Sequence, residues 1–225
     1  MADLAGVRSS AAPFRIQLML SDKPWVRGSG RRMLRHWMRE QPCCDAARLA
    51  SLPDGRLRCG SCGMWFSASH SAPVSAALDG GPRGGGDGLP HAVLAIARAP
   101  VPVGIDVQFP QRRAAAMRWL ARVSGLQSRG VHECTLEHWA LAEAQLKATG
   151  CASRLPRAGE LWLPDVVAER GEFHWRVANR AHRIRYETWP VVGARVAAVT
   201  APVTSTGTPI SPDIQTAVTV FKHSG

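Results

Sequence analysis

The sequence predicts an α+β fold, with strands at both ends of the chain and helices between them. Three observations carry this. Two short apolar runs of strand length flank residue 100, at 92–97 (AVLAIA) and 101–107 (VPVGIDV). Two stretches with apolar residues at helical spacing come next, over about 111–123 and 135–148. The last third, 160–202, then reads as four strands separated by turn residues. Strand and helix do not alternate regularly, so a doubly wound parallel sheet is not expected.

In chain order, residues 14–20 alternate enough to form a first strand. Residues 29–38 (SGRRMLRHWM) place Met33, Leu34, Trp37 and Met38 at helical spacing, with Arg31, Arg32, Arg35 and Arg39 making the helix strongly cationic. That face is either solvated or an anion site. Residues 80–88 (GGPRGGGDG) are too rich in glycine for regular structure and read as a flexible loop. The first central helix carries Ala115, Met117, Trp119 and Leu120; the second sets Leu136, Trp139, Ala140, Ala144 and Leu146 near one side. The closing strands are ELWLPDVV, EFHWRVAN, HRIRYETW and ARVAAVTA. Beyond Pro202, threonine, serine and proline predominate, and 203–225 is expected to be a flexible tail. No tandem repeat is visible.

The 225 residues are 45% hydrophobic, enough for a substantial core, and their formal net charge is +11. Such a balance favours an anionic partner: nucleic acid, an acidic membrane surface, a polyphosphate ligand or an acidic protein. No apolar run reaches the roughly 18 residues of a membrane-spanning helix, and residues 1–21 lack the pattern of a secretory signal. A cytoplasmic protein is therefore expected, in which the six cysteines are thiols or ligands rather than a disulfide framework. Cys59-Gly60-Ser61-Cys62-Gly63 has the spacing of a zinc knuckle, with Cys43 and Cys44 upstream. Adjacent cysteines make a poor half-site, so free thiols are the simpler expectation and structural zinc the alternative. Nucleic-acid binding finds no support beyond charge, tryptophan content and that CxxC, because the arginines are dispersed and no recognition motif is complete.

Three segments carry chemistry. The first is Trp65-Phe66-Ser67-Ala68-Ser69-His70-Ser71, and the second is Gly104-Ile105-Asp106-Val107-Gln108. The third, 139–147 (WALAEAQLK), puts Glu143 and Lys147 four residues apart on one helix face. An aspartate among Val and Ile is costly to bury unless charge or hydrogen bonds offset its lost hydration, and a hard divalent cation does this well. Taken singly, Glu143 and Lys147 read as a surface ion pair worth about 0.3–0.5 kcal/mol. Alone, Asp106 reads as structural and His70 as a surface-loop residue.

Together and in this order, SASHS at 67–71, GIDVQ at 104–108 and WALAEAQLK at 139–147 resemble the motifs of the 4′-phosphopantetheinyl transferases of the larger, surfactin-type monomeric class. The likeness covers roughly residues 14–200. Gly55-Arg56 stands where that family has Gly-Lys or Gly-Arg, and Arg31 with Leu34 resembles the R-x-x-L of its first helix. The resemblance implies an α+β pseudo-dimer of two similar halves, 1–100 and 101–202, each a helix packed on a small antiparallel sheet. It implies a monomeric enzyme that moves the 4′-phosphopantetheine group from coenzyme A to a serine of an acyl or peptidyl carrier protein, releasing 3′,5′-ADP. Asp106, Gln108 and Glu143 would hold Mg2+, or Mn2+; Glu143, Lys147 and Asp106 would be catalytic; Arg31, Arg56, Ser69 and His70 would bind coenzyme A. Two departures stand out. Gln108 replaces the second acidic residue of the GIDVE pattern, and Ala142 replaces a lysine, so a catalytically degenerate homologue is the alternative.

Overall fold

A computed structural model of the chain describes residues 15–21, 29–40, 44–71, 92–110, 114–177, 180–191, 193–201 and 217–223. Among them, four layers follow one another: a helix, a sheet, a second sheet and a pair of helices. The first sheet is built from β1 (Arg15–Ser21), β2 (Leu49–Ser51), β3 (Leu57–Cys59), β4 (Trp65–Ser71), β5 (Ala92–Ala99) and β10 (Ala217–His223), in the order β10-β1-β5-β4-β3-β2. Its pairings are antiparallel except β1 with β10, which is parallel. The second sheet, β6 (Val103–Gln108), β7 (Arg170–Val177), β8 (Arg180–Val191) and β9 (Ala194–Thr200), is antiparallel throughout in the order β6-β9-β8-β7. Helix α1 (Ser29–Arg39) covers the first sheet, and α2 (Ala114–Val123) and α3 (Leu136–Thr149) cover the second. The α+β expectation holds.

Alternation within strands sorts the core. Ile16, Leu18, Val93, Ala95 and Ala97 face Ile105, Val107, Val196 and Ala198 between the two sheets. Their neighbours Met19, Leu94, Ile96 and Phe66 turn the other way, onto Leu34, Trp37 and Met38 of α1. Odd and even positions of one strand thus serve two cores, which is why these strands read as continuous apolar runs. Leu120, Leu141, Ala144, Ala197 and Val199 form the third core, under α2 and α3.

Three features differ from the sequence reading. First, 203–225 is not wholly a flexible tail, because Ala217–His223 forms β10 against β1; the run AVTVF is β-branched and aromatic, a composition that suits a pleated surface. Second, ELWLPDVV forms no strand. Leu161 and Leu163 are buried like alternate strand positions, but their segment is held otherwise: Arg129 Nη2 donates to Leu163 O, and His138 Nε2 bonds Pro164 O at 3.0 Å. Third, His70 lies on β4 rather than in a loop. The glycine-rich 80–88 stretch lies outside the described residues, as does Cys43.

No helix among the described residues is long and apolar enough to cross a membrane.

Candidate functional site

Asp106 lies in the middle of β6 and is 2% exposed. A bare carboxylate there would be strongly unfavourable, yet every oxygen has a donor. Lys147 Nζ donates to Oδ1 at 2.7 Å, Ser69 Oγ donates to the same oxygen at 2.6 Å, and Gln108 Nε2 donates to Oδ2 at 2.7 Å. The Lys147 ammonium also donates to the Ile105 carbonyl at 3.0 Å. Three elements remote in sequence, β4, β6 and α3, therefore meet on one carboxylate.

The topology explains how. Strand β6 is an edge of its sheet, so its outer backbone groups need partners that its own sheet does not supply. Alternate residues of β4 face this edge: Ser67 Oγ accepts the Ile105 backbone N–H at 3.0 Å, and Ser69 Oγ donates to the Asp106 side chain. Both serines are buried. On the other side α3 lies close against β6, and Gly104 permits this. A Cβ built at Gly104 would stand 1.9 Å from the Ala144 carbonyl oxygen and 2.8 Å from the Ala148 nitrogen. The glycine of the GID motif is thus a contact requirement of the helix that delivers Lys147.

Helix α3 is firmly placed at both ends. Thr135 and His138 form a reciprocal cap at its start, while burial holds the His138 imidazole below its ordinary pKa. Glu137 in the first turn pairs with Arg195, which lies beside Gln108 on β9. At the far end, Gly150 caps the helix at φ 78° and packs on the Asp54–Arg56 pair. Arg56 grips Asp54 through Nε at 2.9 Å and Nη2 at 2.6 Å, and its guanidinium lies 4.9 Å from the Trp65 ring centre. Burial alone would raise the Asp54 carboxyl; its bonds to Arg56 bring it below the usual carboxylate range.

Glu143 is half-buried one turn before Lys147. It lines a cleft of about 370 Å³ together with Trp119 of α2, Trp139 and Ala142 of α3, and the 152–156 loop. Glu160 holds that loop: Arg154 grips it with both amino groups, and the Arg157 N–H also bonds it at 2.8 Å, which brings the carboxyl down to about 2.

Of the residues singled out from the sequence, the structure brings Asp106, Gln108, Ser69 and Lys147 into direct contact, and sets Arg56 against the end of α3. His70 is exposed and, by strand alternation, on the face of β4 opposite to Ser69. Arg31 is on α1, and its side chain lies outside the described residues. Sequence reasoning missed Ser67 and the structural weight of Gly104. Two small hydroxyl residues at alternate positions of an apolar strand were the available signal for Ser67 and Ser69. Compared with known protein families and with curated proteins, the chain gives no match.

Proposed function

We propose that this protein is a 4′-phosphopantetheinyl transferase, moving the phosphopantetheine group of coenzyme A to a serine hydroxyl of an acyl or peptidyl carrier protein. The observation that carries the reading is the convergence of β4, β6 and α3 on the buried Asp106, because these are the three segments whose motifs resemble that family. A helix-covered sheet in each part of the chain, with the two sheets face to face, supports the finer reading of a pseudo-dimer of two similar halves.

The implied metal is a hard divalent cation, which selects oxygen, and the side chains of Asp106, Gln108 and Glu143 each carry an oxygen donor. To bind it, Asp106 would exchange one of its hydrogen bonds from Ser69, Lys147 or Gln108, and Gln108 would turn its amide oxygen in place of the Nε2 that now faces Asp106. These residues would hold Mg2+ or Mn2+, which supplies positive charge against the pyrophosphate of coenzyme A as that linkage breaks. The protein's own groups do the rest. Lys147 spends two of its three N–H bonds on Asp106 and Ile105, leaving one for a phosphate oxygen. Asp106 keeps that ammonium aimed. A Glu143 carboxylate oxygen is the base that receives the proton of the carrier serine as it attacks phosphorus. The attack forms the serine–phosphorus bond and breaks the pyrophosphate link, so 3′,5′-ADP departs. Arg56 keeps the 3′-phosphate role that the family likeness gives it, while Ser69 acts by holding Asp106. His70 and Arg31 keep the coenzyme A role that the family likeness gives them.

The test is intact mass of an apo-carrier protein incubated with this chain, coenzyme A and Mg2+. The carrier gains one phosphopantetheine, and the gain disappears with Glu143→Gln. No gain across several carriers sinks the reading.

A second reading rests on the same geometry. Asp106 is already compensated by Lys147, Ser69 and Gln108, so the cluster can serve as a structural clasp in a homologue without activity. Protection of the chain against heat by coenzyme A with Mg2+, with no mass gain on the carrier, selects it.

The basic balance gains a use if the carrier is acidic. Arg118 and Arg122 lie one turn apart on α2, both exposed, near the cleft that Glu143 lines. Reversing both charges (Arg118→Glu with Arg122→Glu) is expected to raise the KM for the carrier about tenfold while leaving the KM for coenzyme A unchanged, since charges at an interface rim act chiefly on encounter. Initial rates at low and high salt check it, because the difference should shrink as salt rises.

A further inference from the structure

We propose that Cys44, Cys59 and Cys62 form a zinc site of three thiolates, with water as the fourth ligand, that staples the start of the 3-10 turn Ala46–Arg48 to the hairpin of β3 and β4. The site is separate from the oxygen cluster at Asp106 and does not depend on the transferase reading.

The geometry is that of a thiolate knuckle. The three Sγ atoms lie within 4.8 Å of one another, and Cys44 and Cys62 are 3.5 Å apart. Tetrahedral zinc with Zn–S bonds of about 2.3 Å sets its sulfurs about 3.8 Å apart. The loop between Cys59 and Cys62 is folded to present both sulfurs on one side. Cys59 N–H donates to Met64 O at 2.8 Å, Gly63 N–H donates to Cys59 O at 2.9 Å, and Gly63 makes the turn at φ 72°. Behind Cys44, Arg98 is 3% exposed and its Nη1 lies 4.0 Å from Sγ, a buried cation placed to balance the surplus negative charge of three thiolates on one Zn2+. Soft sulfur ligands select zinc over magnesium. Cys134 and Cys151 share no such cluster among the described residues, and burial pushes the Cys134 thiol up to about 12. A Cys44–Cys62 disulfide is the competing use of this pair; it requires the sulfurs to close to about 2.05 Å.

The site has a purpose in the fold. Cys59 is fully buried among Trp37, Met38, Met64 and Phe66, with Cys44 and Cys62 at the edge of that core. Strands β2 and β3 are only three residues each, too short to hold the hairpin by pairing alone. The metal fixes the turn between β3 and β4, the strand that brings Ser67 and Ser69 to β6.

The test uses the full chain, isolated anaerobically without metal-affinity steps. Elemental analysis is expected to find one zinc per chain. After chelation and titration with Co2+, the wild-type chain is expected to show a thiolate-to-cobalt charge-transfer band and the visible bands of a tetrahedral centre. Chelation should also lower Tm. Cys59→Ser and Cys62→Ser lose the zinc and the band; Cys134→Ser, Cys151→Ser and Asp106→Asn keep both, the last separating this site from the oxygen cluster. The cobalt titration stands even where Cys59→Ser fails to fold, because it reads sulfur ligation in the wild-type chain. Metal-free protein whose cobalt form lacks the charge-transfer band overturns the proposal, and so does a Cys44–Cys62 disulfide in the freshly isolated chain.

Discussion

Asp106→Asn is expected to abolish transfer while the chain still folds. The substitution keeps the shape of the side chain and an oxygen for the Ser69 hydroxyl, but removes the charge that faces Lys147. Breaking a buried ion pair by removing one partner costs about 3–5 kcal/mol, and the lower end applies because 23% of the Lys147 side chain stays in contact with solvent. That loss of stability appears whether the cluster is catalytic or merely a clasp. Activity separates the two. If Asp106 orients Lys147 and takes part in holding the cation, transfer to the carrier falls at least about 100-fold, the scale of losing one charge-stabilising group. A double variant, Asp106→Asn with Lys147→Met, removes both charges and is expected to recover part of the stability but none of the activity. Urea unfolding read beside the intact-mass assay gives both numbers on the same preparations. Stability recovered together with full transfer would exclude a catalytic role for the pair.

The sequence makes the chemistry of this site easier to read than its wiring. An aspartate in the apolar strand GIDV, and Glu143 and Lys147 one turn apart, mark the groups that need compensation or do work. What the linear pattern hides is which groups meet. It pairs Glu143 with Lys147 at helical spacing, whereas Lys147 reaches 41 residues back to Asp106. No local rule sees that contact, because it exists only once α3 packs on β6. The same holds for the edge of β6: the need for a partner comes from strand order, so Ser67 looks like any small polar residue until the sheets are assembled. The segment Glu160 to Val167 fails for the opposite reason. Its alternation is real, and Leu161 and Leu163 are buried, but carbonyls that a neighbouring strand would satisfy are taken by Arg129 and His138. Alternation reports which side chains go inside and says nothing of where the backbone hydrogen bonds go.

Gly104→Ala should be among the most damaging single-methyl changes available in this chain. The added carbon would lie 1.9 Å from the Ala144 carbonyl oxygen, with the Ala144 carbonyl carbon at 2.9 Å and the Ala148 nitrogen at 2.8 Å. All three are backbone atoms of one helix, so no side chain can swing aside and α3 itself must lift. That helix packs Leu141, Ala144 and Ala148 with no solvent exposure, and small residues at this contact leave no slack to redistribute. The expected cost is about 3 kcal/mol or more, at or above the usual range for overpacking a core. Gly125→Ala provides the contrast. Gly125 has φ 73° and nothing within 4 Å of the added carbon, so only the left-handed backbone penalty of about 1–2 kcal/mol applies there. Urea midpoints at unchanged m-value should therefore fall much further for Gly104→Ala than for Gly125→Ala. Lifting α3 also draws the Lys147 ammonium off Asp106, so the Gly104 variant is expected to lose transfer even below its unfolding midpoint, whereas Gly125→Ala keeps it. Equal midpoints for the two variants would mean that α3 does not rest on β6 as closely as the GID glycine implies.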